Sequence, residues 1–100
     1  MMRMSEIYQN YVIDRLKNKY QHEQLSFWEG DEETVFTRKN GYKFIVSIFP
    51  MVEGEESLVI EYQCDPNEVR SQYCDGDRFF ISDMSKEEMY EAMLKEIEDD

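Results

Sequence analysis

The spacing of apolar residues changes period twice along the chain, and this limits the folds open to it more than any other feature. From Ser5 to Gln21, Tyr8, Val12, Leu16 and Tyr20 recur every four residues, with Met4, Ile7 and Tyr11 alongside. That is the period of an amphipathic helix, with Glu6, Asn10, Asp14 and Lys17 on the opposite side. From Leu25 to Ile81 the period is two, the signature of strands. From Met89 to Ile97 it returns to that of a helix. The order predicts an α+β fold: an N-terminal helix, an antiparallel sheet of four to five strands, and a C-terminal helix, with both helices on one sheet face.

Turn dipeptides divide the middle region. Asn40-Gly41 supplies the positive φ angles of a tight hairpin between Thr34–Arg38 and Tyr42–Phe49, and Asp75-Gly76 is the second such signal. Leu25-Ser26-Phe27-Trp28 reads as a short first strand. Tyr42, Phe44, Val46 and Ile48 alternate with a set that still holds Ile45 and Phe49, so this strand should be covered on both faces and sit centrally. Pro50 should end it. Glu53-Gly54-Glu55-Glu56 forms an acidic turn, and Asp65-Pro66-Asn67 a loop. Ser85-Lys86-Glu87-Glu88 matches a capping box at the start of the last helix. One hundred residues are sized for a single domain spanning 1–100.

Charge narrows the function classes. The chain carries 23 acids and 11 bases, a formal net charge of −12. Residues 1 to 50 hold seven of each, so the whole excess belongs to the second half. Direct nucleic-acid binding is excluded on this balance, because it needs cations to displace counterions from phosphates. Tyr42, Phe44, Tyr62, Phe79 and Phe80 are accordingly core candidates rather than a base-stacking platform. With 41% apolar and 14% aromatic residues, the chain has material for a packed interior.

Catalytic and metal chemistry find little to work with. His22 is the sole histidine and is expected to close the first helix at its C-terminal end, where a cation suits the helix dipole. No serine-nucleophile, phosphate-loop or zinc-protease motif occurs. The reading is therefore of a protein that is not an enzyme and takes no cofactor or metal. No run approaches the ~18 apolar residues of a membrane span, and Met1 to Glu6 lacks the apolar run of a secretory signal, so the expected location is cytoplasmic. Cys64 and Cys74 are then expected as free thiols. Gln63-Cys64-Asp65 and Tyr73-Cys74-Asp75 echo one another, but two tripeptides fall far short of a repeat.

The acidic second half remains as the candidate binding surface. Glu53, Glu55, Glu56, Asp75, Asp77, Asp83, Glu87, Glu88 and Glu91 fall on turns, a hairpin and the outer face of the last helix. Held on rigid elements, they would present a field like that of a nucleic-acid backbone and enter a basic groove at little ordering cost. The size, the acidic excess and a short sheet flanked by amphipathic helices resemble the small anti-CRISPR inhibitors of phages and mobile elements, some of which imitate DNA to block a CRISPR effector nuclease. The resemblance is one of architecture over the whole chain and carries over no site residue. It implies a non-enzymatic inhibitor whose partner is a basic protein, a nuclease above all. Two alternatives stand beside it: an immunity protein that neutralises a basic toxin, and a homo-oligomeric accessory protein pairing through the wide apolar arc of the first helix.

Overall fold

A computed structural model describes residues 2–26, 30, 32–52, 55–65, 67 and 73–99, with the side chains of 50–52 left aside. Helix α1 (Met4–Leu16) leads into β1 (Gln21–Leu25), β2 (Glu33–Thr37), β3 (Lys43–Val52), β4 (Glu55–Gln63) and β5 (Tyr73–Phe80). A single 3-10 turn (Ile81–Asp83) then precedes α2 (Lys86–Glu98). The strands form one antiparallel meander in the order β1-β2-β3-β4-β5, so the expected α+β architecture is the one observed, with β3 at its centre.

Register decides which side chains meet the helices. Phe44 pairs with Tyr62, Val46 with Ile60 and Ile48 with Leu58, which puts this set on one face. Val12 and Leu16 of α1, Met89, Met93 and Ile97 of α2, and Phe36, Phe44, Val46, Leu58 and Ile60 of the sheet form one buried cluster. Both helices thus pack on the same sheet face, as the apolar stripes require. The rings of Phe36 and Phe44 stack at 5.2 Å, and Tyr20 meets Phe44 edge-on at 5.5 Å. Ile45, Val59 and Val35 are buried as well, although their register directs them to the opposite face. This is the two-sided cover expected of a central strand.

Five local expectations need correction. Helix α1 stops at Leu16 and a turn carries the chain into β1, yet Tyr20 still reaches the core, which is why it kept the helical spacing. His22 therefore lies on β1 and caps no helix. The first strand is Gln21–Leu25 rather than Leu25–Trp28, and Phe27 and Trp28 fall outside the described residues. Strand β3 runs through Pro50 to Val52; the register shifts between Phe49 and Val52, and such an irregularity accommodates a residue with no amide hydrogen.

The fifth concerns Asp75-Gly76, which makes no hairpin. It lies inside the continuous strand β5, where the register against β4 slips between Val59 and Glu61. Gly76 and Asp77 of β5 there stand against the single residue Ile60 of β4, a β-bulge. Gly41 does occupy the left-handed region at φ 89°, and Arg38 N–H donates to Tyr42 O at 2.8 Å, so the Asn40-Gly41 turn stands as expected.

Candidate functional site

Helix α2 is placed by its sequence with little latitude. The Ser85 hydroxyl accepts from the Glu88 amide at 3.2 Å while the Glu88 carboxylate accepts from the Ser85 amide at 2.9 Å, completing the capping box. Met89, Met93 and Ile97 turn inward. At 3.6 residues per turn, Glu87, Glu91 and Glu98 then fall within about 40° of arc on the outward side. All three are exposed, and Lys95 interrupts the stripe. Lys86 lies 3.2 Å from Glu87; the Glu87 carboxyl is held below the ordinary range by backbone hydrogen bonding at the helix start and then by Lys86.

The stripe joins two further groups of acids. At the N-terminal end of α2, Asp83 is exposed on the 3-10 turn, and exposed Glu55 accepts from the Ser82 hydroxyl at 3.2 Å. At the C-terminal end, Asp75, Asp77, Glu96 and Asp99 line a surface depression of about 360 Å³ with Arg38, Tyr62 and Gly76. Asp75 and Asp77 are exposed on β5, the free edge of the sheet. The two ends are separated by the length of α2, ~20 Å at 1.5 Å per residue.

Not every acid singled out in the sequence is available in the same way. Glu56 ties α1 to β4: its carboxylate forms an ion pair with Arg3 and accepts from the buried Ser5 hydroxyl at 2.7 Å. Those partners, Ser5 first, pull its carboxyl below the usual range. Glu88 has one oxygen engaged in the capping box. Glu53 lies outside the described residues. Conversely, Glu96 belongs to the site although no sequence pattern marks it. Its Oε2 accepts from the Tyr62 hydroxyl at 2.6 Å and its Oε1 from the Asp77 amide at 2.8 Å, fastening α2 to the edge strand. Burial, then Glu96, raises the Tyr62 phenol far above the ordinary tyrosine range.

Gly76 is what allows this junction. A Cβ at that position would stand 2.8 Å from Glu96 Oε2 and 2.9 Å from Tyr62 Cε2. The glycine is required by a close approach of neighbouring side chains; its φ is not in the left-handed region.

Cations bound the acidic surface on one side. Arg38 donates to the Ile97 carbonyl at 3.0 Å, satisfying an end group of α2, and its guanidinium lies 5.1 Å from the Tyr62 ring centre. Arg38, Lys39, Tyr20, Asn40, Ile97 and Glu98 enclose a groove of about 430 Å³. Burial, and next Glu98, raise the Tyr20 phenol.

The cysteines depart from the expected chemistry. Cys64 and Cys74 form a disulfide with Cα atoms 6.3 Å apart, in place of the expected free thiols. The echoing tripeptides are cross-strand neighbours: Gln63 pairs with Tyr73 in the β4–β5 ladder, one residue from each cysteine. His22 stands on β1 at the other edge of the sheet, four strand spacings or ~19 Å away. Its Nδ1 is 3.3 Å from the Tyr20 carbonyl, and its ring lies 6.0 Å from that of Phe36. Among the described residues no group of three or more His, Cys, Asp or Glu is arranged to hold a metal ion.

The aromatic residues divide between faces. Phe44 is buried and Tyr62 and Phe79 pack against the core cluster, whereas Phe80 lies on the opposite face with Phe49, the Arg78 guanidinium 4.7 Å from Phe49 and 5.5 Å from Phe80. On α1, Met4 and Ile7 are exposed together with Met2 ahead of the helix, and Arg15 lies 4.0 Å over the Tyr11 ring. No helix among the described residues is long and apolar enough to cross a membrane.

Comparison with known protein families, with curated proteins and with solved structures returns no match for this chain.

Proposed function

We propose that this chain is a non-enzymatic acidic inhibitor that occupies a basic nucleic-acid-binding surface of a nuclease, such as a CRISPR effector, by nucleic-acid mimicry. One observation carries the reading: Glu87, Glu91 and Glu98 on α2 continue at either end into exposed acids held on a 3-10 turn and a sheet edge. Glu87 and Glu91 are separated by ~6 Å of helix rise. Two phosphate steps along one strand of duplex DNA advance ~7 Å, so carboxylates at this pitch can meet cations arrayed for alternate phosphates. Because the elements are already folded, little conformational entropy is lost on docking. The same field would steer association at a rate that falls with ionic strength.

A basic nuclease toxin presents the same chemistry to this surface, so an immunity role differs in target rather than in mechanism. Assays of purified CRISPR effector and toxin nucleases separate the two by which enzyme loses activity. For the test of the surface itself, Asp77, Glu87 and Glu91 are changed together to Lys. Glu56 is left in place because its reversal would set a cation against Arg3 and strand the Ser5 hydroxyl. The triple variant should keep its far-ultraviolet dichroism and lose inhibition; inhibition retained by a folded variant would overturn the proposal.

A further inference from the structure

The outer half of the β4–β5 ladder combines three features that weaken it. It comprises only Glu61↔Asp75, Tyr62↔Cys74 and Gln63↔Tyr73, and the bulge separates these pairs from the inner half. Among the described residues β5 pairs with β4 alone, so its side of these pairs has a ladder on one flank only. Glu61 and Asp75 are like charges directly opposite one another, an arrangement that costs stability in a sheet. Consistent with that opposition, burial, and then Asp75, raise the Glu61 carboxyl above its ordinary value despite the 2.7 Å bond from the Ser47 hydroxyl.

The Cys64–Cys74 bond spans this same half, and both cysteines are exposed. A buried bridge is shielded from exchange; an exposed one is open to attack by soluble thiols. Sheet register places the two cysteines close together, so the bond adds a covalent tie across the outer half of the ladder. It lies one residue from Asp75 and two from Gly76, next to the Tyr62–Glu96–Asp77 junction.

We propose that Cys64–Cys74 is a reversible thiol–disulfide site for low-molecular-weight thiols of the glutathione class, and that its state decides whether the outer half of β5 stays paired. A glutathione thiolate attacks one Sγ, forming a mixed disulfide and expelling the other cysteine as a thiolate that takes up a proton. A second glutathione thiolate then attacks the glutathione sulfur of the mixed disulfide, releasing the remaining cysteine. The balance is one protein disulfide and two glutathiones to two protein thiols and one glutathione disulfide. With the tie removed, edge position, bulge and carboxylate opposition leave Tyr73–Asp75 free to open, while the Asp77–Glu96 bond and the core under α1 and α2 persist. This inference stands apart from the proposed partner, since it concerns the isolated chain.

Amide hydrogen exchange resolved along the chain tests it, on the full chain oxidised, reduced with glutathione, and carrying Cys64→Ser with Cys74→Ser. Reduction and the double variant should each speed exchange over Tyr73–Asp75 about a hundredfold, the factor by which a loop of this length closes less readily without its link. Protection in β3 and α2 should be retained, and glutathione disulfide should restore the oxidised pattern in the wild type alone. In the reduced chain, Glu61→Gln should recover part of the lost protection. Unchanged exchange over Tyr73–Asp75, loss of protection throughout the chain, or a bridge that glutathione fails to reduce would each overturn the proposal.

Discussion

Replacing Gly76 by Ala tests the junction between α2 and the sheet edge. The added methyl would stand 2.8 Å from Glu96 Oε2, 2.9 Å from Tyr62 Cε2 and 3.1 Å from Glu96 Oε1. A free glutamate could swing aside at little cost, but here both oxygens are held, one by the Tyr62 hydroxyl at 2.6 Å and the other by the Asp77 amide at 2.8 Å. Relieving the contact lengthens both bonds or displaces a half-buried ring. Overpacking of this kind costs about 1–3 kcal/mol. Alanine returns about 0.4–1 kcal/mol by restricting the unfolded chain, since the backbone here is not left-handed. The net expectation is a loss of about 1–2 kcal/mol. At a urea m-value of about 2 kcal/mol/M for a small domain, the unfolding midpoint should fall by about 0.5–1 M. Repeating the change in a Glu96→Ala background separates the cause: the share of the penalty owed to the two Glu96 oxygens should vanish, giving a coupling of at least ~0.5 kcal/mol. A midpoint that stays or rises with Gly76→Ala, or an equal loss with and without the Glu96 side chain, would refute this account of the glycine.

Three other measurements bear on the same elements. Ser85→Ala removes the hydroxyl of the capping box and should cost about 1 kcal/mol in urea unfolding, with Ser85→Gly milder; equal stability of Ser85→Ala and wild type would contradict the cap. Because the Glu61 carboxyl is raised in the folded state, the fold binds its proton more tightly than the unfolded chain, and stability drains as pH rises from the ordinary carboxylate range through the raised value. Glu61→Gln should therefore gain on the wild type as pH rises from the ordinary carboxylate range, and a difference independent of pH would count against it. Tyr62 should remain a phenol while ordinary tyrosines ionise near pH ~10, so Tyr62→Phe should leave the ultraviolet titration amplitude there unchanged. Loss of any part of that amplitude would contradict the burial and the Glu96 bond.

The periods of the apolar residues were sufficient for the order of elements because burial on one face imposes them directly. They were insufficient where a side chain reaches the core from an irregular backbone. Tyr20 keeps the four-residue spacing from a turn and so lengthens the apparent first helix, which in turn misplaces His22. Gly76 misleads for a different reason: a glycine needed for close approach and one needed for a left-handed turn look alike in sequence. Pro50 sits at a register shift that only the pairing partner reveals. The cysteine pairing depends on the register of β4 against β5, and no spacing along the chain encodes it. For the acidic surface, counting charge by halves located the region, and the helical period put Glu87 and Glu91 on its outward side. Which acids are already engaged was hidden, since Glu56 meets Arg3 and Ser5 from more than fifty positions away. Glu96 was missed because its role depends on the bulge in β5.

The acidic surface as a stand-in for nucleic acid is tested most directly by affinity capture on the immobilised chain. Wild type and the Asp77→Lys, Glu87→Lys, Glu91→Lys variant are run side by side, with duplex DNA as competitor, at low and high salt. The account predicts that the wild type retains a nuclease, that duplex DNA and high salt release it, and that the variant fails to hold it. A partner held equally by both proteins and indifferent to DNA and salt would contradict the account.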